Sequence, residues 1–399
     1  MVEQDRRRRL RRLLAAAGAL MAIAAVVLIA LDPLGDDGGG DVPEAGSRFG
    51  QGASEGDQSL LDALAPVLGA KATEEEVPVE QAVAQLFAVG FEGREPPRRL
   101  LARMRDRAWG LVLVGEANYA SPAQLRGVVG AVERAARRGR QAAPLFAATE
   151  PDALGRLGPP PAPDLGLDGT TQEVRAEALA AARRLREAHV RMVLGPSADL
   201  AIGGGPAEDR GFTDDPPKDA AFVEAAVSGW KEARVVVAPG RFPGEGGASQ
   251  DPLFGAATVG LSVEELEERD VEPFAAAVRA GADAIQMSAA LYAAWDGVTP
   301  ATVLPEAIRF LRTSTGFDGA VVSADLVAAT GATGGGVARA AVEALRSGCD
   351  LLVLAGGREE QEAAYRAVLG AVRRNEIPRA RFLEAVRRVA ALKKAAQAG

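Results

Sequence analysis

Seven short apolar runs constrain this fold more than any other feature of the chain: Leu111–Val114, Leu145–Thr149, Met192–Leu194, Val235–Ala238, Ala284–Met287, Ala320–Ser323 and Leu351–Leu354. Stretches rich in Ala, Arg and Glu with helical spacing lie between them, among them 124–137, 174–188, 263–279 and 337–347. A sheet with one wet face would alternate apolar and polar residues. Continuous apolar runs separated by helices instead imply parallel βα units buried on both sides. Seven or eight such units over about 320 residues fit an α/β fold of the TIM-type (β/α)8 barrel kind better than a doubly wound sheet. A barrel of this kind gathers its working residues on the loops that follow the strands.

The N-terminus follows other rules. Leu13 to Leu31 is an uninterrupted apolar run, preceded within residues 1–12 by six arginines and followed by Asp32, Asp36 and Asp37. At 1.5 Å per residue it spans about 28 Å, close to the thickness of a bilayer's hydrocarbon core. The charge asymmetry predicts a cytoplasmic basic tail at 1–12, a single-pass transmembrane anchor at 13–31 and everything beyond it outside the cytoplasm, on the cell membrane. A cleaved signal peptide is the rival reading. Its apolar core would be shorter, and Leu31-Asp32-Pro33-Leu34 is a poor cleavage context. Residues 32–75, rich in Gly, Asp, Pro, Ser and Glu, read as a flexible linker, leaving 76–399 for the barrel.

Composition excludes several classes. With 46 Lys and Arg against 54 Asp and Glu, the chain is net −8, and past the arginine-rich tail it is more acidic still. That balance opposes nucleic-acid binding, which needs basic residues to displace counterions from phosphates. Cys349 is the only cysteine, which excludes an intramolecular disulfide and a cysteine metal cluster. His189 is the only histidine. The glycine triplets at 203–205 and 334–336 lack the lysine and spacing of a phosphate-binding loop. No metal or organic cofactor is expected.

Several segments, in order, resemble the N-terminal barrel of glycoside hydrolase family 3, in particular its bacterial β-N-acetylhexosaminidase branch. They are Gln85–Gly93; Trp109–Val114 followed by Asn118 and Gln124-Leu125; Arg210-Gly211-Phe212 with Asp215-Pro216; Arg241-Phe242-Pro243-Gly244-Glu245-Gly246; Gly316–Ser323; and the helical stretch Leu383–Leu392. The resemblance covers roughly residues 77–395. It implies a retaining hydrolase of O-glycosyl bonds that acts on a cell-wall-type glycan or amino sugar.

The same resemblance shows what is missing. Retaining glycosidases place a carboxylate nucleophile about 5–5.5 Å from a proton donor. The family's nucleophile position falls on Ala324, followed by Asp325, and many members carry a second Asp there. The branch's acid/base histidine falls on Leu253, two residues after a retained Asp251. Its Lys-His pair reads Gly240-Arg241, and its second His reads Glu245. The substrate-binding Asp-Gln-Glu-Gly-Gly reads Glu150-Pro151-Asp152-Ala153-Leu154. His189 precedes a strand, at the end of a barrel that serves stability.

The candidate catalytic groups are therefore Asp325, Asp251 and Glu245, and the candidate substrate-binding groups are Arg210, Glu150 and Arg241. Each has a structural alternative. Glu150 would be a solvated strand-end carboxylate, Arg210 would pair with Asp214 or Asp215, and Glu245 and Asp251 would belong to a solvated acidic loop. The expectation is a tethered barrel that binds a glycan or an envelope protein with impaired catalysis. The alternative is an active hydrolase built from rearranged carboxylates.

Overall fold

The computed structural model describes residues 78–149, 169–333 and 335–397. The basic tail at 1–12, the apolar run 13–31, the linker 32–75 and Glu150 lie outside them. Among the described residues no helix is long and apolar enough to cross a membrane.

Among the described residues eleven strands form in chain order. They are β1 Phe87–Val89, β2 Leu111–Val114, β3 Leu145–Thr149, β4 Met192–Leu194, β5 Val236–Val237, β6 Gly240–Phe242, β7 Thr258–Val259, β8 Ala284–Met287, β9 Leu291–Tyr292, β10 Ala320–Asp325 and β11 Leu351–Leu354. Nine of them make one parallel sheet in the order β5-β4-β3-β2-β1-β11-β10-β8-β6, while β7 and β9 pair separately. The two outermost strands of the large sheet, β5 and β6, belong to one run of chain interrupted at Ala238 and Pro239. Its first half pairs with β4 and its second with β8. The Val193 carbonyl accepts from Ala238 N and the Pro239 carbonyl from Gln286. The sheet therefore curls until its edges meet on residues 236–242, an α/β architecture consistent with a TIM-like domain.

The strands read as expected for a sheet covered on both faces. All four residues of β2 and of β11 are buried. Helices fill the crossovers, and their starts are written in the sequence. Ser121 accepts from Gln124 N ahead of helix Pro122–Arg138. Thr170 and Glu173 cap helix Thr171–Glu187 reciprocally, and Asp215 with Pro216 opens helix Pro216–Glu232. Each such cap satisfies backbone N–H groups that a helix cannot satisfy internally. The stretch 263–279 was expected as one helix. It is broken instead into Val263–Glu265, a π-helical turn Leu266–Asp270 and helix Val271–Arg279.

At the end of the sheet where strands begin, Phe87 packs edge to face with Trp109 and with Tyr365, and the Arg103 guanidinium lies 4.5 Å over the Trp109 ring. His189 lies at this end too, exposed in the turn before β4 with φ of 64°. The mouth formed where strands end is thus left to other side chains.

Candidate active site

Three loops meet at the mouth beyond β4, β6 and β8, and a buried carboxylate ties them together. Asp199, on the loop after β4, is 0% exposed. Its Oδ1 accepts from Glu245 N at 2.8 Å and from Arg241 N at 3.3 Å, while its Oδ2 accepts from Arg210 Nε at 3.3 Å. The peptides Gly195-Pro196, Gly240-Arg241 and Phe242-Pro243 around it are cis. Close approach of the loops depends on glycine. A Cβ at Gly246 would stand 2.2 Å from the Leu200 carbonyl, and one at Gly211 would stand 2.3 Å from that of Asp199.

Glu245 is almost wholly buried, and both its oxygens are engaged. Oε1 accepts from Ser288 Oγ at 2.8 Å and Ala289 N at 3.2 Å. Oε2 accepts from Arg210 at 3.0 Å and from Arg241 at 3.4 Å. Burial pushes its carboxyl above the usual range; Arg241 opposes that rise and Asp199 adds to it. Arg210 also reaches Asp251 at 3.5 Å and donates to the Pro206 carbonyl at 2.6 Å. Asp251 in turn caps the turn Pro252–Phe254 by accepting from Leu253 N, and that turn packs on helix Leu326–Thr333.

The structure therefore brings four of the sequence candidates together: Glu245, Asp251, Arg210 and Arg241. It corrects the expected surroundings of two of them. Arg210 pairs with Asp199, Glu245 and Asp251 rather than with Asp214 or Asp215. Glu245 is 1% exposed, not part of a solvated loop, because the Ser288 hydroxyl and two guanidiniums replace its water.

Asp325 stands apart at the end of β10. Val322 pairs with Leu351 and Asp325 with Val353, so β10 carries one extra residue across this stretch, a bulge. Ser323 Oγ fills the gap by accepting from Val353 N at 2.9 Å. Asp325 Oδ1 accepts from Val327 N at 3.2 Å and Ala355 N at 3.3 Å, joining the start of the next helix to the end of β11. Burial raises its carboxyl, opposed by those two N–H groups. Ala324 is 3% exposed and forms a small apolar cluster with Ala289 and Ala329. Ala289 also donates to Glu245, so position 324 adjoins the ion-pair network.

Sequence reasoning missed Asp199 and Ser288. Asp199 lies five residues beyond the last residue of β4, where a barrel's working residues belong. That placement was its only local signal. Among the described residues no group of His, Cys, Asp and Glu could hold a metal ion.

Comparison with known proteins identifies the family. A beta-hexosaminidase of Xylella fastidiosa is 29% identical over 290 residues, covering 67% of this chain and 83% of the relative. One from Stenotrophomonas maltophilia is 31% identical over 213 residues, 52% of this chain and 63% of the relative. Among solved structures, a glycoside hydrolase family 3 beta-N-acetylglucosaminidase from Paenibacillus sp. aligns with a TM-score of 0.74 at 27% identity, covering 80% of this chain and 63% of that one. A Beta-N-acetylhexosaminidase from Beutenbergia cavernae gives 0.70 at 25% identity, covering 80% of this chain and 99% of that one. The model of the glycosyl hydrolase family 3 N terminal domain matches residues 78–392, and the chain belongs to that family.

Proposed function

We propose that this chain is a membrane-tethered, extracytoplasmic family 3 barrel that binds an amino-sugar glycan or an envelope partner without hydrolysing it. The observation that carries this reading is the packing of Ala324 against Ala289 and Ala329, where the family places its nucleophile. A methyl group cannot attack an anomeric carbon. The surrounding charges support the same reading: Arg210 and Arg241 neutralise Asp199 and Glu245, and Leu253 at the acid/base position is 59% exposed. The ligand class comes from the relatives, which are named for beta-hexosaminidase and beta-N-acetylglucosaminidase activity. The tether comes from residues 1–31.

Full-length protein in detergent should release no product from aryl β-N-acetylglucosaminides or muropeptides. It should bind N-acetylglucosamine oligosaccharides in a calorimetric titration. Turnover that disappears in Asp325→Ala would overturn the non-hydrolytic reading in favour of a rearranged-carboxylate hydrolase. For that alternative, Asp325 has the property wanted of a proton donor, a carboxyl raised by burial. Protease added to spheroplasts should digest the barrel from outside; protection there would overturn the topology.

A further inference from the structure

One face of the barrel has a charge that the site does not explain. Segments 94–107 and 122–140 together carry eleven arginines against three carboxylates, in a chain that is net −8. They form helices Arg98–Asp106 and Pro122–Arg138, which pack side by side. Between them runs a groove of about 530 Å³ with Arg98, Arg105, Arg134 and Arg138 on its walls and Leu101 and Ala135 in its floor. All four arginines are exposed. Nearby Arg103 and Arg107 are held by Glu362, and Arg137 by Glu133. The four groove arginines have no carboxylate partner among the described residues.

Local structure accounts for only part of this. Arg105 and Arg138 sit in last turns, where the helix dipole favours a cation. Arg98 opens the first turn of its helix, which has no acidic residue, and there the dipole opposes it. Arg134 serves neither end. A groove with an apolar floor and a rim of guanidiniums, with no carboxylate lining it, matches an amphiphile whose head carries phosphate.

We propose that this groove is a docking face for an anionic phospholipid surface, with the exposed Arg98, Arg105, Arg134 and Arg138 on its rim set against lipid phosphates. The proposal rests on the reading of residues 13–31 as an anchor, which keeps the barrel close to a bilayer. Basic residues near an anionic leaflet attract it additively, and salt weakens that attraction.

The test uses the full chain in nanodiscs of phosphatidylcholine alone or mixed with phosphatidylglycerol. Phenylglyoxal modification of each arginine is followed by mass spectrometry, with exposed Arg309 and Arg339 on other helices as internal references. Modification of the four groove arginines should slow several-fold in the mixed discs only, and high salt should restore it. Arg134→Gln/Arg138→Gln should abolish the protection of Arg98 and Arg105. Equal modification in both compositions would overturn the proposal. So would equal protection in both, which would mean that something other than anionic lipid fills the groove. If the chain does not enter nanodiscs, the anchor reading fails separately. Flotation with vesicles of the same two compositions then decides the groove: binding only to the anionic vesicles supports it, and no difference overturns it.

Discussion

Asp199→Ala measures how far the mouth of this barrel depends on one carboxylate. The side chain is fully buried and accepts from two backbone N–H groups, Arg241 and Glu245, and from Arg210. Its Oδ2 also lies 3.7 Å from the Arg241 guanidinium. Removing one partner of a buried ion pair costs about 3–5 kcal/mol, because the remaining charge is left uncompensated. Two orphaned N–H groups would cost about 1–3 kcal/mol each, but these terms share one carboxylate and do not add. The expected loss is therefore about 4 kcal/mol. Unfolding entropy of about 2.1 cal/mol/K per residue, over about 320 residues, turns that into a fall in Tm of about 6 °C. Equilibrium urea unfolding in detergent, followed by tryptophan fluorescence, should show a lower midpoint with an unchanged slope. Asp199→Asn keeps an acceptor for the two N–H groups but turns an amide donor toward Arg210, and should fall between wild type and Asp199→Ala. A loss below about 1 kcal/mol in Asp199→Ala would refute the network, since it would place Asp199 among ordinary surface substitutions.

Two buried groups should impose opposite pH dependence on stability. Burial pushes the Asp219 carboxyl up to about 8, against 3.8 ordinarily, while the N–H groups of Phe212 and Thr213 oppose the rise. The folded state then keeps a proton that the unfolded state has lost, so stability falls as pH rises across that window, by up to about 1.4 kcal/mol per pH unit. Asp219→Asn should flatten this slope in urea titrations, with little change near its lower end and increasing stabilisation toward pH 8. An unchanged slope would refute the assignment. Lys393 is buried against Gln85 Oε1 at 2.8 Å, and burial pushes its amine down to about 7 from 10.5. Stability should therefore rise with pH between those values. Lys393→Met should remove that rise; near neutral pH it relieves about 4 kcal/mol of desolvation and orphans the Gln85 and Ala143 oxygens at about 1–3 kcal/mol, a net stabilisation of about 1–3 kcal/mol. A destabilised variant with the slope intact would contradict this.

The barrel was legible because its strands are local. β2, β3, β4, β8 and β11 fall on apolar runs readable to the residue, each bounded by helix signals that need no distant partner. β1 escaped because Phe87–Val89 follows helix Val79–Gln85 after a single residue, with no turn signal between them. The split of β5 from β6 escaped because Pro239 reads as a loop, although the sheet's two edges meet around it. The site was legible in a different way. Ala324 and Leu253 announced themselves against a family pattern, which says what is missing but not what has replaced it. Asp199 made no such announcement. The two backbone N–H groups it accepts from lie 42 and 46 residues away, and nothing near residue 199 encodes that the loops after β4 and β6 share a carboxylate.

Two departures from the family pattern explain each other once the loops are assembled. Arg241 stands where the pattern has His, and Glu245, four residues on, stands where it has a second His. The turn between them brings the side chains to 3.4 Å. A guanidinium introduced alone beside Arg210 would crowd two cations at a buried mouth, and a glutamate introduced alone would add a carboxylate beside Asp199. Introduced together their two charges offset each other, and Ser288 and Ala289 satisfy the glutamate's second oxygen. Ser288 and Ala289 follow β8, so the pair is supported by the same curled sheet that carries the mouth. The strands place these loops whatever charges they carry, and in this chain those charges bind one another.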